Sequence, residues 1–194
     1  SSVYGARATG NESTETKPTS YYGVTKLAAE HLVMAASRQG RIDACSLRLF
    51  SVYGPRERPE KLYPRLIECI LQDKEFTLFD GSNDHYRSYT YVADALAGMV
   101  LALENMSNCN GEIFNIGSNI SITTREGIRI IENLLGRQAK FRVTPTRPGD
   151  QLETRADIEK ARNILGYNPT TSVLEGLSQE VNWFRDNDIH DGTN

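Results

Sequence analysis

The chain has 194 residues, of which 39% are hydrophobic and 24% charged, and its formal net charge is -3. That is enough apolar chain for a sizeable core, which excludes a disordered polymer, and the slightly acidic balance supplies no basic field for nucleic acid. No uninterrupted apolar stretch is long enough to span a bilayer. Cys45, Cys69 and Cys109, odd in number and without a Cys-x-x-Cys pair, suggest neither a disulfide framework nor a zinc site. A soluble protein in a reducing cytoplasm is expected, with no metal.

In chain order, residues 1–5 read as a strand end and the polar run 6–19 as a loop. The run from Pro18 reads as a helix that extends to about Arg38. Leu27, Ala28, Ala29, Leu32, Val33, Ala35 and Ala36 wrap most of its circumference, so burial on more than one side is predicted. Residues 43–50 alternate and are β-rich, Gly54-Pro55 breaks them, and 62–72 reads as a helix. Short strands follow at 76–79 and 86–92, then a helix over 93–104 and a strand over 113–116. Thr123 with Glu126 and Ser172 with Glu175 have the spacing of capping boxes and mark two helix starts. Between them lie a strand at 141–143, a turn at 147–150 and a small helix over about 157–165.

Chemistry is concentrated at Tyr22 and Lys26. As i and i+4 partners on a helix they stack phenol and ammonium on one face, and a fixed cation close to a phenol favours its phenolate, a base able to take a proton from a sugar hydroxyl. On spacing alone, a surface tyrosine one turn before a surface lysine is the better reading, because these residue types meet at i,i+4 on many helices.

The surrounding text decides between these. Ser1-Ser2-Val3-Tyr4-Gly5, Pro18-Thr19-Ser20-Tyr21-Tyr22-Gly23-Val24-Thr25-Lys26, Leu47-Arg48-Leu49-Phe50-Ser51-Val52-Tyr53-Gly54-Pro55-Arg56, Arg87-Ser88-Tyr89-Thr90-Tyr91-Val92-Ala93-Asp94, Asn115-Ile116-Gly117, Arg147-Pro148-Gly149-Asp150 and Leu165-Gly166-Tyr167-Asn168-Pro169 occur in the order of one family's signatures. Together they resemble the extended short-chain dehydrogenase/reductases, specifically the NAD-dependent nucleotide-sugar epimerases and dehydratases of the UDP-glucose 4-epimerase type. The resemblance covers essentially the whole chain. It implies an α/β fold: the C-terminal part of a doubly wound Rossmann fold plus a smaller α/β substrate-binding region. On that basis residues 1–55 are the last part of the NAD-binding domain and 56–194 mainly the substrate-binding region, with about 86–120 returning to the Rossmann sheet. No Gly-x-Gly-x-x-Gly turn occurs, and the family's catalytic Ser or Thr would stand immediately before Ser1. The chain is therefore expected to be a C-terminal portion, inactive by itself.

The same resemblance implies the site. Tyr22 and Lys26 are the catalytic pair and also contact NAD, with Leu49 and Val52 beside the nicotinamide. Ser51, Leu62, Thr77, Phe79, Arg87, Arg147 and Asp150 face the nucleotide sugar, Arg87 and Arg147 at its phosphates and Asp150 at the nucleoside ribose. For Thr77 and Phe79, simple core packing explains an alternating tetrapeptide as well. Ser51 replaces a usual asparagine, and Ser88 a usual aspartate. Dehydratases of the family place Asp and Glu where this chain has Ser1 and Ser2, neither of which donates a proton to a leaving hydroxyl at neutral pH. A UDP-sugar 4-epimerase is thus the expected activity, with a 4,6-dehydratase or other lyase, or a non-catalytic sugar-nucleotide-binding module, as alternatives. A homodimer through the Tyr22–Lys26 helix is also expected.

Overall fold

The computed structural model describes residues 1–146 and 151–187, which form an α/β protein of two compact units. Among the described residues, unit one comprises 1–52, 86–121 and 151–170, and unit two comprises 53–85, 122–146 and 171–187.

In unit one the strand Ser46–Leu49 lies parallel to Ile113–Ile116, in register from Ser46 opposite Ile113 to Leu49 opposite Ile116. A second parallel set joins Arg7–Ala8 to Glu153–Thr154, and Glu153 in turn to Tyr86. Helices Tyr21–Arg38, Val92–Glu104 and Glu159–Leu165 belong to this unit, with a short helix at Met106–Cys109. Phe50, Phe114, Ile116, Ile158 and Leu165 form its core, and the Tyr167 hydroxyl donates to the Gly117 carbonyl at 3.2 Å. Parallel strands need long crossovers, which the helices supply, and these helices cover the strand faces.

Local readings change at several places. Arg7–Ala8 is a strand inside the run expected to be a loop, and the helix expected from Pro18 begins at Tyr21. Residues Ser2–Tyr4 form a 3-10 turn rather than a strand end, because the Tyr4 and Gly5 amides donate back to the Ser1 and Ser2 carbonyls. The expected strand over 86–92 is two pieces, Tyr86–Arg87 and Thr90–Tyr91. Ser88 interrupts it: its amide donates to Thr154 Oγ1 at 3.0 Å and its hydroxyl to the Ser118 carbonyl at 2.5 Å, so this residue is spent on other segments. Within the chain the Tyr21–Arg38 helix buries one stripe, Gly23, Glu30, Met34 and Ser37, and leaves Val24 and Leu32 exposed.

Unit two pairs Glu75–Phe79 with Lys140–Thr144 in parallel and packs helices Leu62–Leu71, Thr124–Leu135 and Val173–Asn187 on one another. Both capping boxes form: Thr123 Oγ1 accepts from the Glu126 amide at 3.1 Å while Glu126 accepts from the Thr123 amide at 2.6 Å, and Ser172 and Glu175 repeat the exchange. Tyr53 and Tyr63 meet edge to face at 5.8 Å. The Tyr53 hydroxyl lies against Gly176, where any Cβ would overlap it. One turn on, Glu180 is 0% exposed, and neither of its carboxyl oxygens makes a hydrogen bond of good geometry. Among the described residues, no helix is long and apolar enough to cross a membrane.

Burial, and next the charge of Glu57, push the Glu180 carboxyl up to about 8; burial also raises Glu57 to about 7, against the pull of Lys61. A carboxyl that holds its proton only in the folded state favours folding at low pH, and that advantage disappears as pH rises from the ordinary range, 4.5, towards about 8. Glu180→Gln should therefore melt close to wild type at pH 5 and increasingly above it as pH approaches 8.5. A melting-temperature difference that does not grow with pH would contradict the buried, protonated state.

Candidate active site

The helix that carries Tyr22 starts where it does because Ser20, in extended conformation, accepts the Gly23 amide on its hydroxyl at 3.1 Å. Tyr22 thus falls in the first turn, and Lys26 one turn later brings its ammonium to 5.5 Å from the centre of the tyrosine ring. Tyr22 is 63% exposed, with its phenol available to a ligand. Between them Gly23 turns its bare Cα to the Ser2–Tyr4 turn: a Cβ there would stand 2.7 Å from the Ser2 carbonyl oxygen and 2.9 Å from the Pro18 side chain. The glycine allows the helix start to touch that turn.

Tyr22, Lys26, Ala29, Glu30 and Val33 form one wall of a cavity of about 370 Å³, closed by Ser1 and Ser2 and by the strand from Cys45 to Leu49. The Ser1 nitrogen donates to the Leu49 carbonyl at 2.6 Å, which holds the two serines beside the strand. At the floor, Glu30 receives Arg48 Nη2 at 2.7 Å on one oxygen, and Arg48 Nε at 2.9 Å and the Ser46 hydroxyl at 3.0 Å on the other. Arg48 Nη1 donates to the Tyr4 hydroxyl at 2.8 Å, and that hydroxyl donates to Asn115 Oδ1 at 2.7 Å. Burial works to raise the Glu30 carboxyl, but the Arg48 hydrogen bonds and charge outweigh it and hold it below the usual carboxylate range. The guanidinium is likewise held protonated by Glu30 and Tyr4 in spite of its burial.

The structure brings Tyr22, Lys26 and Leu49 together on this cavity. Val52, Ser51 and Arg87 belong to the same unit but are not on its walls: Ser51 gives its carbonyl to the Thr90 amide at 3.1 Å, and Arg87 Nη1 donates to the Tyr86 carbonyl at 3.4 Å. Leu62, Thr77 and Phe79 are in unit two. Leu62 opens its helix half-buried, while Thr77 and Phe79 occupy the less buried face of their strand, opposite Phe76 and Leu78, and Thr77 Oγ1 accepts Arg142 Nη2 at 3.3 Å. Arg147 and Asp150 lie outside the described residues. Sequence reasoning missed Glu30, Arg48 and Tyr4. The available signal was Arg48 between Leu47 and Leu49 in a strand, since a charge buried there requires a partner.

A parallel α/β core with a Tyr-x-x-x-Lys helix beside a polar cavity defines a short-chain dehydrogenase/reductase type of protein. The chain belongs to the NAD dependent epimerase/dehydratase family, whose pattern it matches over residues 1–117. It is 37% identical over 182 residues to YtcB, an uncharacterized UDP-glucose epimerase of Bacillus subtilis, covering 93% of this chain and 57% of that protein. In structure it is similar to UDP-glucuronic acid 4-epimerase from Bacillus cereus in complex with UDP-glucuronic acid and NAD, at TM-score 0.91 and 38% identity over 96% of this chain and 59% of that one. It is also similar to DesIV, a dTDP-glucose 4,6-dehydratase from Streptomyces venezuelae, at TM-score 0.88 and 31% identity over 96% of this chain and 58% of that one. The chain thus spans just under three fifths of these relatives' length.

Gly23→Ala offers a check on the geometry of the helix start. In an open helix this change is stabilising by up to ~1 kcal/mol. Here the new methyl has to displace the Ser2 carbonyl, so a loss of about 1–3 kcal/mol in denaturant unfolding is expected. A gain in stability would show that helix and turn are not in contact.

Proposed function

We propose that the whole protein is an NAD-dependent 4-epimerase of a UDP-sugar, with UDP-glucuronate the first substrate to test. The observation that carries this reading is the chemistry of the cavity walls. Tyr22 and Lys26 share one helix face there, Ser1 and Ser2 supply hydroxyls, and the one carboxylate among the lining residues, Glu30, is committed to Arg48. A proton acceptor is present, and among the described lining residues no free acid stands ready to protonate a leaving hydroxyl.

At the Tyr22 end the lining offers a phenol, the Lys26 ammonium and the Ser1 and Ser2 hydroxyls to the polar groups of a nicotinamide riboside, with Leu49 as apolar wall. Lys26 and Tyr22 would hold the ribose, and Leu49 and Val52 the ring. NAD, when bound, supplies reversible hydride acceptance at C4 of the sugar. Tyr22 takes the proton of the 4-hydroxyl as the C4–H bond gives up its hydride, and Lys26 stabilises the phenolate. Tyr22 returns the proton once the 4-keto sugar has turned and been reduced on its other face, so the cycle consumes neither water nor oxidant. The roles expected of Ser51, Leu62, Thr77, Phe79, Arg87, Arg147 and Asp150 toward the UDP-sugar belong to this proposal. The likeness to the Bacillus cereus epimerase supports the uronic acid substrate. The likeness to DesIV keeps a 4,6-dehydratase as the second reading.

We also propose a homodimer through the Tyr21–Arg38 helix, supported by Leu32 at 73% exposure and Val24 beside the same surface. Sedimentation should give twice the chain mass, and a monomer at micromolar concentration would contradict it. For the reaction, NMR of UDP-glucuronate incubated with the whole protein should show its C4 epimer. Tyr22→Phe should lower kcat by at least ~10²-fold with substrate binding nearly unchanged. A 4-keto-6-deoxy sugar from a dTDP- or UDP-hexose, or a pentose formed with loss of carbon dioxide, would replace this reading with a lyase.

A further inference from the structure

Glu30 stands one turn beyond Lys26, where the cavity wall meets the buried stripe of the helix. Its ion pair with Arg48 is buried, both side chains being 6% exposed. Apolar residues of similar size often replace a buried pair with no loss of stability, so stability is a poor explanation for two charges at this depth. What the pair supplies instead is a fixed distance and angle. Arg48 engages Glu30 through Nε and Nη2 in a two-bond fork, and a slip of the helix by a single residue, about 1.5 Å, breaks both bonds. The guanidinium is itself held, lying 4.8 Å over the Tyr4 ring and donating through Nη1 to the Tyr4 hydroxyl and, at 3.2 Å, to the Glu12 carbonyl. Asn115 completes the link, accepting from Tyr4 on Oδ1, donating its backbone N–H to the Glu12 carboxylate at 2.7 Å and its Nδ2 to the Gly10 and Asp157 carbonyls. Helix, both parallel strands and the turn that carries Ser1 and Ser2 therefore meet at one side chain.

We infer that Glu30 and Arg48 are positioning residues for the Tyr22–Lys26 face, fixing where along the strand Ser46–Leu49, and at what rotation, the phenol and ammonium stand. The inference rests on the reading of Tyr22 as the base. Tyr22, Lys26 and Glu30 follow one another at four-residue steps on one helix, so a rotation that moves Glu30 carries the other two with it. Neither Glu30 nor Arg48 needs to touch the reacting atoms.

The charged side chains on the cavity walls are Lys26, Glu30 and Arg48, with the Glu12 carboxylate behind Tyr4 and His31 beside Glu30. Glu30→Gln and Arg48→Met in the whole, NAD-loaded enzyme therefore leave opposite unbalanced charges two helical turns, about 12 Å along the axis, from Tyr22. Each should lower kcat per folded molecule by about 10²-fold, the scale of a misplacement of about 1 Å, with the substrate KM within about threefold of wild type. The acidic limb of the kcat–pH profile should move to lower pH in Glu30→Gln and to higher pH in Arg48→Met. A loss shared by both variants with no movement of the limb would mean that the pair only holds the fold together, and would overturn the inference. Should either variant fail to fold, Glu30→Asp retains the charge but not the reach, and a wild-type kcat there overturns it equally. Tyr22→Phe run in parallel separates the two readings. Loss of activity in Tyr22→Phe with unaltered Glu30 and Arg48 variants removes the positioning role and leaves the base in place, whereas retained activity in Tyr22→Phe removes the base itself.

Discussion

Arg48 is a permanent cation placed inside unit one, and most of that unit's polar geometry is a response to it. A buried guanidinium is tolerated only when its donors are met, and here Glu30, Tyr4 and the Glu12 backbone meet them. Each partner comes from a different segment of chain. Satisfying one side chain therefore fixes the Tyr22–Lys26 helix, the N-terminal turn and the paired strands relative to one another. Unpairing it would leave a charge in the core, at a cost of about 3–5 kcal/mol.

That constraint explains the composition of the helix start. Once Glu30 is anchored, the first turn is pressed onto the Ser2–Tyr4 turn, and only a residue without a side chain fits at Gly23. Ser20 caps the helix at the same place and exposes Tyr22. The Tyr22–Lys26 pair gains its cavity from these two neighbours, so the site depends as much on a glycine and a buried ion pair as on the residues proposed to do chemistry. Unit two is built on a separate device, with Tyr53 laid across Gly176 and a buried carboxyl one turn further along the same helix.

Elements whose signals are local could be read from the sequence. The strand Ile113–Ile116 and the helix Leu62–Leu71 fall where their patterns place them, and the Thr123–Glu126 and Ser172–Glu175 boxes form as their spacing requires. The run from Tyr86 to Val92 could not be read, because what divides it is the capture of Ser88 by Thr154 and Ser118, residues distant in the chain. In the site, the i,i+4 step from Tyr22 to Lys26 was visible and the structure keeps it. The partnership of Glu30 with Arg48 was not, since nothing local indicates which strand an amphipathic helix will meet. Arg147 and Asp150 lie outside the described residues, so the phosphate end of the expected site rests on resemblance alone.

In the proposed function the Tyr22–Lys26 face serves transient oxidation and reduction at a single sugar carbon. The direct measurement is NMR of the product when the whole protein acts on UDP-glucuronate carrying deuterium at C4. Hydride removal and return at that carbon predict a C4 epimer that retains the label, with no solvent hydrogen taken up at carbon. Loss of the label, or solvent hydrogen at C5, would contradict the account and place the chemistry with proton abstraction from carbon instead.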